Sequence, residues 1–403
     1  MKLCFVVQRY GAGVAGGSEA HCRELALRLA ARGHEITVVT TCARDYVTWE
    51  NSFPAGESRD ADVRVRRFPV SRQRRLGVFA DLGDEVFGGG GSIARQHEWF
   101  RENGPDAPGI IEHLRTHGTE YDLVLFWTFR YAPSFFGLPL VAGRAVLVPT
   151  AEDDSAVQLE AVEAFFQLPA GYLFLTPEEE ALVSMRAGRT LTPAAVIGIG
   201  LDPEPPREAA LPSPPGLPAD YVLYLGRVDR NKGCQTLLEY FQQYTESLGG
   251  TQPVPTLVLA GPAKMRVPDH PHIRALGYVS DQLRSALLAH ARVLIVPSPY
   301  ESLSIVLLEA WNAGVPALVN SQCKVLEGQV RRAGGGLHYR SADEFGEALA
   351  YLLDNRGTRD ALGRQGRAYV DREYRWPIVI ERVERLLADV RSRITTPTSP
   401  AAA

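Results

Sequence analysis

The chain has 403 residues, a net charge of −4, 22% charged residues and a 45% hydrophobic fraction. That balance suits an ordinary soluble protein with two domains' worth of core, and it excludes a general affinity for polyanions, so no nucleic acid partner is expected. The five cysteines (Cys4, Cys22, Cys42, Cys234 and Cys323) form no CxxC pair, which argues against a disulfide framework or a structural zinc site and suits a reducing cytoplasm. The apolar run at 3–7 is too short for a signal-peptide core and is interrupted by Gln8 and Arg9. No stretch of about 20 apolar residues is present, so the expected location is cytoplasmic, with any membrane association peripheral and at the inner face.

In chain order, a strand-like run at 3–7 leads into a glycine-rich loop at 11–17. An amphipathic helix pattern at 18–31 then stops at Gly33, and a second strand occupies 35–41. Strand, glycine turn, helix and strand make the opening of a doubly wound α/β sheet with parallel pairing. Further strands are expected at 63–68, 123–126, 145–149 and 171–175. Residues 201–220 hold seven prolines and few large apolar side chains, the character of an interdomain linker. A second α/β unit follows, with strands at 221–225, 256–260, 272–276 and 293–296 and helices at 233–248 and 281–290. A last helix is expected at 377–393, with Pro377 in its first turn, before a loose tail at 394–403. The domain plan is therefore 1–200, a proline-rich linker at 201–219, a second domain at 220–376, the last helix and the tail.

The chemistry concentrates in the second half. One segment, Gly226-Arg227-Val228-Asp229-Arg230-Asn231-Lys232-Gly233, directly follows a strand. Another, Pro297-Ser298-Pro299-Tyr300-Glu301-Ser302-Leu303-Ser304-Ile305-Val306-Leu307-Leu308-Glu309-Ala310, runs from a strand into a helix that begins near Leu303. Arg227 and Lys232 offer positive charge to a diphosphate, and Gly226 and Gly233 let the backbone come close. The helix start, around Ser304 and Ile305, offers free N–H groups and the positive end of a dipole. Glu301 and Glu309 are carboxylates of the kind that accept hydrogen bonds from vicinal sugar hydroxyls. Each charge alone could be a solvated loop or helix-surface residue. Their order, at strand ends where open α/β sheets bind ligands, makes a site of them.

This constellation resembles the retaining glycosyltransferases of the GT-B fold, family 4 type (glycosyl transferases group 1), which carry a G-R-x-x-x-x-K-G-like loop and an E-x7-E motif. Glu301 and Glu309 have that spacing. The resemblance covers most of the chain and is most specific over 221–320. It implies two Rossmann-like domains facing across a cleft, with the last helix crossing back to the first domain. It also implies that Arg227 and Lys232 hold the diphosphate, that Glu309 holds the ribose, and that Glu301 meets the transferred sugar. The activity implied is transfer of a hexose-type sugar from a UDP- or GDP-linked donor to a hydroxyl acceptor in glycan or glycoconjugate biosynthesis. The acceptor would be a saccharide, a lipid-linked sugar or a metabolite, and no cofactor or metal is required. Ser302-Leu303-Ser304 stands where many relatives carry G-F-G.

The N-terminal loop satisfies GxGxxG with Gly11, Gly13 and Gly16, but no acid ends the second strand, as the dinucleotide reading requires. Family 4 enzymes have a similar G-G-x-E turn. The resemblance implies that Gly16 and Gly17 bring a helix N-terminus near the donor phosphate and the acceptor, and a tight strand–helix turn is the structural alternative. In Val148-Pro149-Thr150-Ala151-Glu152-Asp153-Asp154, Glu152 stands where relatives often have a histidine. A carboxylate accepts a hydroxyl hydrogen bond but cannot donate like a neutral imidazole; the alternative is an acid cluster at a helix start. Asp60-Ala61-Asp62 spells DxD but reads as a turn. Arg64, Arg66, Arg67, Arg72, Arg74 and Arg75, interleaved with Phe68, Val70 and Leu76, would serve any peripheral membrane or phosphorylated-acceptor contact, or else form a solvated face. The glycine-rich loop at 87–92, with Trp99 after it, reads as an acceptor loop that orders on binding, and Trp127 and Tyr131 as either sugar-stacking or core residues.

Two rival functions stand beside the transferase: an NAD(P)-dependent oxidoreductase or epimerase resting on the N-terminal glycines, and an inactive binding protein of glycosyltransferase fold. A glycogen-phosphorylase-like enzyme would need a lysine for pyridoxal phosphate, and no lysine is singled out.

Overall fold

The computed structural model describes residues 1–14, 16–89, 91–204, 214, 216–218, 220–249 and 254–395. Most of the proline-rich linker (205–213, 215 and 219) and the tail from 396 lie outside the described residues, as does Gly90 of the 87–92 loop. The chain divides into two compact units. One is formed by Met1–Ile199 and Val379–Ala403, the other by Gly200–Ile378.

The first unit is built on eight strands: β1 (Lys2–Val6), β2 (Glu35–Thr41), β3 (Gly56–Asp60), β4 (Val63–Phe68), β5 (Leu123–Trp127), β6 (Ala145–Val148), β7 (Gly171–Phe174) and β8 (Ala194–Val196). Their order is β3-β4-β2-β1-β5-β6-β7-β8, and every pairing is parallel except that of β3 with β4. β5 reads LVLFW and is buried throughout, as befits a strand covered on both faces. The helices are α1 (Gly17–Ala31), α2 (Leu76–Phe87), α3 (Ile93–Asn103), α4 (Pro108–His117), α5 (Ala132–Gly137), α6 (Ala161–Phe165) and α7 (Pro177–Ala187). Phe100 stacks on Phe135 at 3.8 Å, and Phe135 on Phe165 at 5.3 Å. Each such buried ring contributes roughly 1.5–3 kcal/mol over exposure.

β3 and β8 fall outside the strands expected from the sequence. β3 (GESRD) is an exposed edge strand with no apolar alternation to reveal it; it exists because it hairpins onto β4. The turn between them is the DxD sequence. Ala61 takes φ 51°, and Asp60 accepts from Arg23 Nε and Nη2 at 2.7 and 3.0 Å.

The second unit has six strands: β9 (Tyr221–Leu225), β10 (Thr256–Ala260), β11 (Ile273–Gly277), β12 (Val293–Val296), β13 (Ala317–Asn320) and β14 (Gly336–Tyr339). All pairings are parallel, in the order β11-β10-β9-β12-β13-β14. The helices are α8 (Cys234–Ser247), α9 (Asp281–His290), α10 (Ile305–Asn312), α11 (Lys324–Ala333), α12 (Ala342–Asp354) and α13 (Arg356–Glu373). From β9 the chain winds outward through β10 and β11, then returns to place β12 on the other side of β9. The strand order therefore reverses between β9 and β12, the position where α/β sheets of this kind leave a ligand crevice at their carboxyl ends. β13 (Ala317–Asn320) and β14 (Gly336–Tyr339) also fall outside the strands expected from the sequence.

The last helix, α14 (Trp376–Thr395), belongs to the first unit from Val379 onward. There Glu384 accepts from Arg32 Nε and Nη2 at 3.0 and 2.7 Å and meets His34 Nε2 at 3.1 Å, while Arg391 pairs with Asp122 at 3.1 Å. Gly171 makes room for the helix: a Cβ there would lie 2.5 Å from Val390 Cγ2.

Candidate active site

The residues singled out in the second half converge where β9 and β12 end. Gly226 and Gly261 follow β9 and β10 with φ of 149° and 144°, values that favour glycine. A Cβ on Gly261 would lie 2.0 Å from the Gly226 carbonyl oxygen, so the two loops run in contact. They are laced together by Gly226 N–H donating to Ala260 O (2.9 Å), Val228 N–H to Pro262 O (3.0 Å) and Lys264 N–H to Val228 O (2.8 Å). Gly233, at φ 71°, lies against the other side of the site, where a Cβ would be 2.2 Å from Pro297 O, just beyond β12. Glycines at these places are what let one loop touch both neighbours.

That loop presents its charges in pairs. Asp229 caps the short 3-10 turn Arg230–Lys232, its Oδ1 accepting the Lys232 amide at 3.0 Å, while its Oδ2 takes Arg227 Nε. Lys232 Nζ crosses to Glu301 Oε1 at 2.8 Å, and the Glu301 side chain is only 12% exposed. Arg227, Lys232 and Glu301 thus lie in one network, organised by an aspartate that the sequence reading passed over.

α10 begins at Ile305, two residues later than the sequence suggested, with Ser304 at its N-cap. The Ser304 hydroxyl makes no capping bond. Its amide instead donates to Gln329 Oε1 of α11 at 3.3 Å. Ser304 Oγ and Gln329 Nε2 are buried and have no hydrogen-bond partner among the described residues. The α10 start therefore combines a helix dipole with uncommitted polar atoms, a setting that suits an anion. Glu309, near the middle of α10, receives Arg284 Nη2 of α9 on its Oε2. Burial raises the Glu309 carboxyl above its ordinary value, and Arg284 opposes that rise.

In the first unit, the glycine-rich loop is filled by the protein itself. Gly16 has φ 157°, and a Cβ there would lie 2.1 Å from Glu19 Oε2. Glu19, in the first turn of α1 after Gly17, accepts from Gln8 Nε2 and Arg9 Nε at 2.8 Å each, and Ser18 Oγ donates to it at 2.9 Å. Arg9 and Glu19 are 6% and 5% exposed, a buried pair occupying the place where a dinucleotide pyrophosphate would approach the helix. The sequence shows both residues but cannot show that they are buried together.

Glu152 follows β6 in the same unit. Arg130 Nη2 lies 4.0 Å from Glu152 Oε2 and 2.6 Å from Asp154 Oδ2, so these acids share a guanidinium, while Asp154 Oδ1 also accepts the amides of Ala156 and Val157 at 3.0 and 3.4 Å and caps the turn that follows. Thr128 after β5 and Thr150 after β6 hold φ of 59° and 46°, uncommon for branched side chains and therefore held by their surroundings. Part of that hold is Glu179, a buried residue of α7 whose mark in the sequence is the capping-box spacing Thr176-x-x-Glu179, with Thr176 Oγ1 accepting the Glu179 amide at 3.2 Å. Its two carboxyl oxygens accept the amides of Ala151 and Leu175 at 2.6 Å each.

The structure decides the aromatic readings in favour of packing inside the first unit. Trp127 is fully buried, packs on Phe5 at 4.9 Å and donates through Nε1 to His21 Nδ1 at 3.2 Å, so it is core and cannot stack on a sugar. Tyr131 packs edge-on against Trp49 at 5.2 Å. Trp99 lies in the core between Phe79 and Phe87. The arginines of 64–75 are largely committed as well. Arg72 and Arg75 meet Glu102 at 2.8 and 2.7 Å, Arg66 pairs with Glu57 at 3.0 Å, and Arg64 lies 3.8 Å from Glu35. Arg67 and Arg74 donate to the backbone of Tyr10 and Asn103. Among the described residues no group of three or more His, Cys, Asp or Glu side chains is placed to hold a metal, and no helix is long and apolar enough to cross a membrane.

Comparison with known proteins agrees with this architecture in both halves. Residues 214–369 match the family model for glycosyl transferases group 1, and residues 16–148 match that for the glycosyl transferase 4-like domain. A glycogen synthase of Mycobacterium tuberculosis is 25% identical over 401 residues, covering 94% of this chain and 92% of that protein. The sucrose-phosphate synthase of Thermosynechococcus elongatus superposes with a TM-score of 0.68 at 18% identity, over 98% of this chain and all of that one. Anabaena HepE, solved in complex with UDP and glucose, gives a TM-score of 0.66 at 15% identity over 96% of this chain and 100% of its own. The chain, with an α/β unit on a largely parallel sheet in each half and a family match in each, belongs to the GT-B glycosyltransferases of the family 4 type.

Proposed function

We propose that this enzyme transfers a hexose-type sugar from a UDP- or GDP-linked donor to a hydroxyl acceptor, with retention of anomeric configuration. The observation that carries the reading is the meeting of Arg227, Lys232 and the N-terminus of α10 at the strand-order reversal between β9 and β12. The UDP and glucose held by Anabaena HepE support a nucleotide-sugar donor.

In this mechanism the bond between the sugar's anomeric carbon and the diphosphate oxygen breaks, and its electron pair stays on the diphosphate. Arg227, Lys232 and the α10 amides stabilise the charge that gathers there, which is the large term in transfer of this kind. The acceptor oxygen attacks the same face that the diphosphate leaves, and its proton passes to the departing phosphate oxygen, so no protein nucleophile is required. Glu301 accepts from the sugar's hydroxyls, and Glu309 holds the ribose by accepting from a hydroxyl there. Gly16 and Gly17 form the turn that carries α1, and Glu152 accepts from a sugar hydroxyl in place of the histidine of many relatives. The acceptor class is a saccharide, a lipid-linked sugar or a small metabolite.

The test is binding and turnover of UDP-, GDP- and ADP-sugars, with NAD(P) as control, by the wild type and by the double variant Arg227→Ala/Lys232→Ala. One nucleotide sugar should bind, turn over and be lost in the variant. Binding of NAD(P) alone would overturn the reading.

A further inference from the structure

The second glutamate of the E-x7-E pair does not act alone. Glu309 Oε2 is held by Arg284 Nη2, across from α10 to α9, while 19% of the Glu309 side chain stays exposed. Local structure sets Arg284 in place. Gly277, at φ 67°, ends β11, and Ser280 caps α9 by accepting the Leu283 amide at 3.3 Å, so α9 starts with Arg284 in its first turns. Asp281 and Glu204 add negative potential around Glu309, and Arg284 is the cation that answers it.

A carboxylate only accepts hydrogen bonds, and a guanidinium, with five N–H groups in a rigid plane, only donates. A carboxylate by itself can therefore take two adjacent hydroxyls only as two donors. With Oε2 committed to Arg284, one carboxylate oxygen and the outer guanidinium N–H groups present an acceptor and a donor side by side. Two cis hydroxyls on a ribose suit that pattern, one donating to Glu309 Oε1 and the other accepting from Arg284. We propose that Arg284 and Glu309 together read the ribose cis-diol of the donor nucleotide, with Arg284 the residue that makes the enzyme prefer ribonucleotides to deoxyribonucleotides. This rests on the donor-site reading above.

The experiment is titration calorimetry of wild type, R284A and R284K with UDP and GDP and with their 2′-deoxy and 3′-deoxy forms, together with steady-state kinetics on the nucleotide sugar the wild type uses. The wild type should bind its preferred ribonucleotide at least about tenfold more tightly than one of the deoxy forms, as expected for a lost hydrogen bond to a charged group. In R284A the ribonucleotide should weaken about tenfold or more while that deoxy form changes little, so the ratio collapses. Donor KM should rise with kcat nearly held, because a binding contact and not a transition-state contact is removed. R284K, which keeps a cation beside Glu309, should recover part of the affinity. An R284A protein with unchanged ribonucleotide affinity and unchanged selectivity would overturn the proposal and leave a surface ion pair. A wild type that bound none of these nucleotides would overturn the donor-site reading itself.

Discussion

Lys232 Nζ lies 2.8 Å from Glu301 Oε1, so the cation proposed to meet the diphosphate is shared with the carboxylate proposed to meet the sugar. The two roles are therefore coupled. Lys232→Ala should lower kcat/KM by about a hundredfold or more, the size expected when a group stabilising developing charge is removed. Glu301→Gln should act in opposite directions on two readouts: nucleoside diphosphate should bind a few-fold more tightly, because Lys232 is released, while transfer falls. Calorimetry with the free diphosphate beside steady-state kinetics checks both, and parallel movement of the two readouts in Glu301→Gln would refute the coupling.

The loop contacts predict a sharp contrast between two glycines with positive φ. Gly261→Ala would force a Cβ to within 2.0 Å of the Gly226 carbonyl oxygen, a backbone atom that cannot swing aside. Gly277→Ala, at φ 67°, meets nothing within 4 Å and is strained only by its own conformation. Urea unfolding should show Gly277→Ala costing about 1 kcal/mol and Gly261→Ala clearly more, with donor affinity lost only in the latter. Equal losses would mean that the contact between the two loops carries no weight.

Glu179 makes the stability of the protein depend on pH. Burial pushes its carboxyl from an ordinary value of 4.5 up to about 8, against the pull of the Leu175 and Ala151 amides. Between those two values the folded protein keeps a proton that the unfolded chain has released. The contribution is complete below 4.5 and is lost as pH rises through about 8. Melting temperatures from pH 5 to 9 should therefore show the wild type losing ground to Glu179→Gln, whose side chain does not titrate. A gap that stays constant across this range would show that Glu179 is already ionised at the bottom of it.

Glu152 belongs to the first unit, and the proposed diphosphate ligands belong to the second. Glu152→Ala should thus lower transfer at least about tenfold while leaving nucleoside diphosphate affinity within about twofold. If calorimetry found diphosphate binding lost as well, Glu152 would belong to donor binding and its proposed part in meeting a sugar hydroxyl would be wrong.

The class of this protein and the first members of its candidate site are legible in the chain before any folding is considered. Apolar runs such as 221–225 and 293–296 read as buried strands of a parallel sheet, and G-R-x-x-x-x-K-G followed by E-x7-E places Arg227, Lys232 and Glu301 in loops after strands and Glu309 in the helix beyond, since local spacing and glycine placement are properties of neighbours in the chain. Tertiary structure alone decided what each charge faces. Arg284, Gln329 and Glu179 do not show their partners in sequence, and they become Glu309's partner, Ser304's acceptor and the clamp on Ala151 only when segments far apart in the chain pack together. The same holds for Trp127, whose choice between sugar stacking and core is made only by its packing against Phe5. Burial and long-range pairing depend on residues distant in the chain, and no local pattern carries them.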